Sequence, residues 1–511
     1  MTDTTDMAKP LSGHSLKVSP VTLRLPCGTL QGSRFKDVQR FLGIPFAKPP
    51  VGELRFKAPH ALPDWTGVRP ANRFACAAIQ PPRPAALLPE DPGYSEDCLY
   101  LNVWAPTAAG PHPVYVWIHG GANAAGTTAQ PIFDGESFAR RGVVFVSIAY
   151  RLGVLGFVDL SGLLGDAYQG SGNNGLRDQI EALKWVRRNI ATFGGDPERV
   201  TIGGESAGGK NVISLLAAPQ AKGLFQRAIC QSGGGQTYAD QATAHDLAKR
   251  VLAHLEGTVG RPEALLAVNT QSLLAAQAAV IKEYPAKSPF RAVIDGVVLN
   301  QAPLGAIAEG VGKHIPLLLG SNKDEAAFYG PSLTGDGKAV PQDLANMPAP
   351  DFDQTLAQYQ RLFPDVDAET LRFKALTAES YGIPTLRLAE ARAQTGEPAY
   401  MYRFDLAPEQ GALRGLCVHT SELALVFGNM RLPTAAAIGP VEPLAHHLGE
   451  VMHSLWVDFI SAGPTLAQPN GQWPRYDLPS RRVMIFGKQQ RVESDPDLTE
   501  RRIWEHWQAV L

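Results

Sequence analysis

Apolar residues in this chain fall into two kinds of stretch, short unbroken runs and longer segments in which they recur every three or four positions. Val114 to Ile118 (Val-Tyr-Val-Trp-Ile) and Val143 to Tyr150 have no polar alternation, so neither suits a sheet with one wet face. Such runs predict parallel strands covered by helices on both sides. Arg199 to Ile202, Arg227 to Cys230, Ile315 to Gly320 and Tyr400 to Phe404 read as further strands. Between them, Gly175 to Thr192 carries Leu176, Ile180, Leu183, Trp185, Val186 and Ile190 at helical spacing, and Ala207 to Ala217 repeats the pattern before Pro219 stops it. This alternation predicts an α/β architecture with a central, mostly parallel sheet flanked by helices. Val18 to Val68 is different: short β-forming runs separated by turn residues predict a small N-terminal antiparallel sheet. Ala239 to Ala308 and Gly330 to Gly396, rich in Ala and Leu, read as helical insertions over the catalytic end of the sheet. Pro443 to Gly463 and Leu498 to Leu511 read as closing helices on which a dimer could pair, leaving monomer and homodimer both open.

Composition narrows the class. Of 511 residues, 44% are hydrophobic and 19% charged, which supplies a large core and excludes general disorder. A formal net charge of -2 without any dense basic run gives no general attraction to nucleic acid or anionic membranes, so no nucleic-acid partner is expected, and no stretch is apolar enough to span a bilayer. Residues 1–17 are polar, without the apolar centre of a secretion signal, and read as a disordered or leader-derived segment; residues 18–511 read as one domain because no linker divides them. Five cysteines lack close metal-type spacing. Cys76 and Cys98 bracket a proline-rich loop, Phe74 to Tyr94, which they could close as a disulfide or leave as two thiols. A bridge would stabilise by about 3 kcal/mol in the chain-entropy picture and would favour a secreted or periplasmic location.

The chemistry centres on Gly204-Glu205-Ser206-Ala207-Gly208, between a predicted strand and a predicted helix. A serine on such a turn projects its hydroxyl, and the flanking glycines admit neighbouring backbone. The hydroxyl needs a histidine base and an acid that orients it, in the chain order serine, acid, histidine. Asp324-Glu325 follows a buried strand and supplies the acid, and His419 lies on a later loop; His119 comes too early, and His446 and His447 sit in a helix. Gly120-Gly121-Ala122, after the Val114 strand, can aim N–H groups at an oxyanion together with the N–H of Ala207.

These residues resemble the type-B carboxylesterase and cholinesterase family of α/β-hydrolases from about Val18 to Val510. The likeness rests on Phe41 to Gly52, Ser95 to Val103, and Phe193 to Pro197 leading into the Ser206 turn. The resemblance implies an α/β-hydrolase fold and hydrolysis of small-molecule carboxylic esters through an acyl-enzyme, with no cofactor and no metal. It selects Glu325 over Asp324, matches His419 with Glu422 and Phe427-Gly428, and assigns oxyanion donors to Gly121, Ala122 and Ala207. It also implies supporting roles for Glu205 and Ser232 and matches Cys76 and Cys98 to the family's first disulfide. A non-catalytic adhesion protein of the same family is the rival reading, disfavoured because all three triad residues are present; amide or carbamate hydrolysis would use the same apparatus. Two departures bear on substrate. Asn123 replaces a usual aromatic and would make the pocket mouth polar, while Lys210 either contacts a carboxylate or points to solvent. Together they suggest polar or carboxylated esters, such as the tricarballylate esters cleaved by bacterial fumonisin esterases.

Overall fold

A computed structural model describes residues 18–507 except 86, 256–260, 332–338, 434, 438, 442 and 462–472. The expectations for residues 1–17 and for the last four residues of the C-terminal helix fall outside the described residues.

A 13-stranded sheet runs through the molecule. Twelve of its strands form the path β1 (Ser19–Leu25), β2 (Gly28–Phe35), β3 (Val38–Pro45), β4 (Tyr100–Pro106), β6 (Val144–Ile148), β5 (His112–Ile118), β7 (Gly195–Glu205), β8 (Arg227–Gln231), β9 (Leu317–Asn322), β10 (Ala399–Phe404), β11 (Arg482–Phe486) and β12 (Gln490–Ser494). From β6 to β11 neighbours are parallel and the remaining pairs along this path are antiparallel, while the thirteenth strand, Val68–Pro70, pairs parallel with β2 off the path. The N-terminal hairpins therefore extend the central sheet through the β3–β4 pairing. A strand edge with free N–H and C=O groups recruits the next hairpin whatever its sequence pattern, so separate and continuous sheets read alike in the chain.

The unbroken apolar runs are buried on both faces. In β5, Val114, Val116 and Ile118 join one core while Tyr115 and Trp117 join the other, as period-two alternation requires. Helix α1 (Asn174–Asn189) covers the first face through Leu176, Ile180, Leu183 and Val186, all at most 1% exposed. On the second face Trp117 meets Phe427 edge to face at 4.9 Å and Phe133 at 5.4 Å. Helix α2 (Ala207–Ala217) follows β7 directly. The insertions are helical: α3 (Gln241–Ala253), α4 (Thr270–Glu283), α5 (Ala349–Leu362), α6 (Ala368–Thr377) and α7 (Ile383–Gln394), with a π-helical turn at Ala378–Gly382 between the last two. Helix α8 spans Pro443–Ser461, with His446 part-exposed and His447 exposed, and the final helix is short, Leu498–Ile503. Among the described residues no helix is long and apolar enough to cross a membrane.

The Cys76–Cys98 disulfide is not formed; all five cysteines are free. Parallel pairing of Ala77 with Tyr94 and Ala78 with Ser95 sets Cys76 level with Gly93, and Cys98 lies further along the chain, sunk 1% exposed into the core. The loop is fastened by hydrogen bonds instead. The buried Gln80 side chain donates to the Gly126 carbonyl (2.7 Å) and accepts from the Gly126 N–H (2.8 Å). The expectation of an oxidising compartment rested on that bridge and loses its support.

Candidate active site

The parallel strands end along one edge of the sheet, where ligands gather in open α/β folds. Four strand ends there carry the predicted site. Ser206 follows β7 with φ 57° and ψ −123°, a strained turn, and its N–H donates to the Gln231 carbonyl at the end of β8 (2.9 Å). A Cβ on Gly208 would lie 2.1 Å from the Ile118 carbonyl oxygen, and one on Gly204 would lie 2.5 Å from the Gly208 backbone. The turn thus wedges between strand and helix without room for side chains.

Glu325 follows β9 and is fully buried. Its Oε1 accepts from the Asn322 N–H (2.7 Å) and the Ser232 hydroxyl (2.5 Å), and its Oε2 faces His419 Nδ1 at 2.5 Å. Asp324 faces elsewhere, accepting from the Cys417 N–H (3.0 Å) and so fastening the loop that carries His419. Glu422 does not reach His419; its oxygens accept from Gln231 Nε2 (2.9 Å) and Asn322 Nδ2 (2.7 Å), tying together the ends of β8 and β9. Gln231 and Asn322 adjoin residues named from the sequence but carry no motif signal of their own.

On the other side of the imidazole, Glu205 Oε1 lies 3.2 Å from His419 Nε2 but out of hydrogen-bond alignment. Burial pushes the Glu205 carboxyl up to about 8. Burial also lowers His419, but Glu205 and Glu325 together outweigh it and the net direction is upward. Tyr381, Phe328 and Tyr329 surround the ring, with centroids 4.8, 5.9 and 6.0 Å away. His119, by contrast, is stacked on Tyr150 and held by the Gly120 carbonyl (2.9 Å), and burial pushes it down to about 4, which leaves it neutral.

The turn after β5 takes left-handed φ at three successive residues, Gly121 (114°), Ala122 (56°) and Asn123 (55°). A Cβ on Gly121 would sit 2.0 Å from the Ala125 carbonyl oxygen, so glycine is required there. Asparagine tolerates this conformation better than most residues. Among the described residues the N–H groups of Gly121, Ala122 and Ala207 have no acceptor, and all three residues line a cavity of about 500 Å³ with Ser206, Glu205 and His419.

Asn123 and Lys210 also line this cavity. Asn123 does not offer a free polar group, contrary to expectation: its Nδ2 donates to the Phe290 carbonyl (3.1 Å) and its Oδ1 accepts from Asn211 (3.0 Å), so it ties the Gly121–Asn123 turn to an insertion loop. Lys210 extends from α2 into the cavity, and burial lowers its ammonium to about 8. Lys287 and Arg291 line the same space without any sequence signal, because charged residues in an irregular segment ordinarily read as solvated.

A sequence profile of the carboxylesterase family matches residues 19–504. The chain is 36% identical to para-nitrobenzyl esterase of Bacillus subtilis over 494 residues, covering 93% of this chain and 96% of that protein. It is 34% identical to fumonisin B1 esterase of Sphingopyxis macrogoltabida over 472 residues, covering 89% and 84%. A solved carboxylesterase of Geobacillus stearothermophilus superposes with a TM-score of 0.82 at 35% identity, covering 95% of this chain and 100% of that one. The two-sided parallel sheet and the strand-end pocket are thus those of an α/β-hydrolase, and the chain belongs to the carboxylesterase family of carboxylic ester hydrolases.

Proposed function

We propose that this chain hydrolyses esters as a serine esterase through an acyl-enzyme. Ser206 Oγ attacks the ester carbonyl while His419 Nε2 takes its proton; the N–H groups of Gly121, Ala122 and Ala207 receive the oxyanion. His419 then protonates the departing alcohol. Water repeats the cycle on the acyl-enzyme and frees the acid. Glu325 keeps the proton on Nδ1 and stabilises the imidazolium. Ser232 and Asn322 hold Glu325, and Glu422 holds Asn322.

The observation that carries this reading is His419 bonded through Nδ1 to a carboxylate that already accepts two other hydrogen bonds. Ser206 and His419 line the same cavity, so we assign the other nitrogen, which has Glu205 Oε1 at 3.2 Å, to the serine proton. Lys210 in the cavity wall supports carboxylated esters as substrates, tricarballylate esters among them.

An organophosphate reagent tests the mechanism: mass spectrometry should find one adduct, on Ser206, with ester hydrolysis lost in parallel. Labelling elsewhere, or activity surviving Ser206→Ala, rejects it. Lys210→Ala should lower the preference for carboxylated over neutral esters, and an unchanged preference removes Lys210 from the scheme.

A further inference from the structure

The cavity wall tied to the Gly121–Asn123 turn through the Asn123–Phe290 hydrogen bond holds an excess of positive charge that the protein does not neutralise. Lys210 comes from α2, and Lys287 and Arg291 come from the segment after α4. Among the described residues none of the three has a carboxylate at ion-pair distance, whereas Arg372 on the same cavity is paired with both Asp343 (3.1 Å) and Glu369 (2.9 Å). Arg291 is held by its own loop, Nε donating to the Ser288 carbonyl (2.8 Å) and Nη2 to the Lys287 carbonyl, which leaves Nη1 uncommitted. Lys287 Nζ lies over the Tyr329 ring, 3.4 Å from its centroid, and 5.4 Å from that of Tyr381; Lys210 Nζ is 5.8 Å from the Tyr381 centroid. The two ammonium groups therefore flank one pair of aromatic rings that also borders His419.

Glu379, on the π-helical turn, contributes the nearby negative charge, but its oxygens are occupied. They accept from the N–H groups of Ala345 (3.1 Å), Asn346 (2.5 Å) and Met347 (3.1 Å) and from the Ser380 hydroxyl (2.6 Å). Asp343 is engaged by Arg372, and Glu325 by His419. The cationic loop is also fixed in place: Lys287 N–H donates to the Leu344 carbonyl (2.7 Å), and the Phe290 carbonyl accepts from Asn123. Asn123 thereby sets the distance between the oxyanion turn and the charges. Like charges gathered on one cavity without a counter-charge are what an anionic ligand would complete.

We propose that Lys210, Lys287 and Arg291 form a polyanion subsite in this cavity, and that the ester cleaved here carries at least two free carboxylates or equivalent anionic groups. The proposal rests on the serine-esterase reading and deepens it from one contact at Lys210 to a substrate class. Burial, and then repulsion from Lys210, lowers Lys287 to about 7, and burial followed by Arg291 lowers Lys210 to about 8. Lys210, Glu379, Asp343 and Glu325 are the charged groups acting on Lys287, with His419 also within its field, so its proton is held most weakly when no anion is bound. Polyanion binding should accordingly take up protons and weaken as pH rises through 7 to 8.

The test uses hydrolysis of a neutral ester, p-nitrophenyl acetate, as the reporter and acetate, succinate and citrate as competing probes. Citrate should inhibit competitively with a Ki at least tenfold below that of acetate, with succinate between. That ratio should fall at least fivefold in Lys287→Met and in Arg291→Gln, and Lys287→Arg should restore it. Because each variant is judged by a ratio of inhibition constants measured on its own residual turnover, a general loss of activity does not mimic the result. Equal Ki values for the three acids, or a ratio unmoved in both variants, overturns the proposal. Reporter hydrolysis that survives Ser206→Ala would instead sink the serine mechanism, so the two failures are separable.

Discussion

Replacing Glu325 by glutamine probes the triad with the smallest change of shape. The Asn322 N–H is a backbone donor and cannot turn away, so the amide oxygen of Gln must remain where Oε1 now accepts it at 2.7 Å. The amide NH2 then occupies the Oε2 position, 2.5 Å from His419 Nδ1. Two N–H groups cannot face each other there, so Nδ1 must become the acceptor and the ring proton must move to Nε2. The imidazole is left in the tautomer that cannot take a proton from Ser206, and the charge that stabilises imidazolium is gone as well. In serine hydrolases a wrong tautomer of this kind costs about 10⁴ in kcat, which corresponds to about 5 kcal/mol in the barrier. Ser232→Ala is the graded comparison: it removes one of three contacts to the carboxylate, a hydrogen bond to a charged group contributing about 1.5–3 kcal/mol, and should lower kcat by about tenfold to a hundredfold. The assay is kcat for p-nitrophenyl acetate at pH 7.5, with thermal melting to establish that both variants fold. A loss below tenfold in Glu325→Gln would mean that Glu205, beside the opposite nitrogen, orients the ring, and the role given to Glu325 would fall.

Three further outcomes follow from the packing and the titrations. Gly208→Ala sets a methyl 2.1 Å from the Ile118 carbonyl oxygen; overpacking costs about 1–3 kcal/mol, so the melting temperature should drop and kcat should fall further than melting alone explains, because the oxyanion turn begins at that strand end. Lys287→Met should stabilise: the folded Lys287 titrates at about 7 against 10.5 for the free side chain, the unfolded chain binds the extra proton between those values, and wild-type stability therefore climbs with pH across that window. The variant's advantage in melting temperature should be largest at or below pH 7 and shrink toward pH 10; an advantage that grows with pH contradicts the burial of this ammonium. With five free cysteines, reductant should leave the melting temperature unchanged, and alkylation should label Cys27 and Cys76 in the native protein and all five once it is denatured; fewer than five labels after denaturation without reductant would reveal a bridge.

The legible parts of the molecule are those whose physics is local. The apolar run Val114 to Ile118 declares a strand buried on two faces, and Val200 to Ala217 declares strand, turn and helix. Each of those elements is found where the pattern puts it. Partner choice is less legible, because a hairpin such as β1–β2 carries the same alternation whether it stands apart or extends another sheet. The spacing of Cys76 and Cys98 was equally misleading, since strand register, which single-chain spacing does not encode, set Gly93 opposite Cys76. Asn123 shows a third limit: a polar residue beside a pocket reads as a ligand contact, yet its left-handed backbone and its two internal hydrogen bonds account for it. Lys287 and Arg291 were invisible for the opposite reason, as nothing in the chain marks which surface-type residues an insertion folds inward.

The fastening of the Phe74 to Tyr94 loop has a consequence for how heat acts on the enzyme. Gly126, which closes the turn bearing Gly121 and Ala122, is gripped through both its N–H and its C=O by one glutamine amide. A covalent link would hold that support until the sheet itself came apart, whereas two hydrogen bonds open and reclose on their own. Warming should thus withdraw the proposed oxyanion donors, the Gly121 and Ala122 N–H groups, from a growing fraction of molecules while the strands stay paired, and cooling should return them. The rate would then sag reversibly at temperatures where ellipticity is still flat.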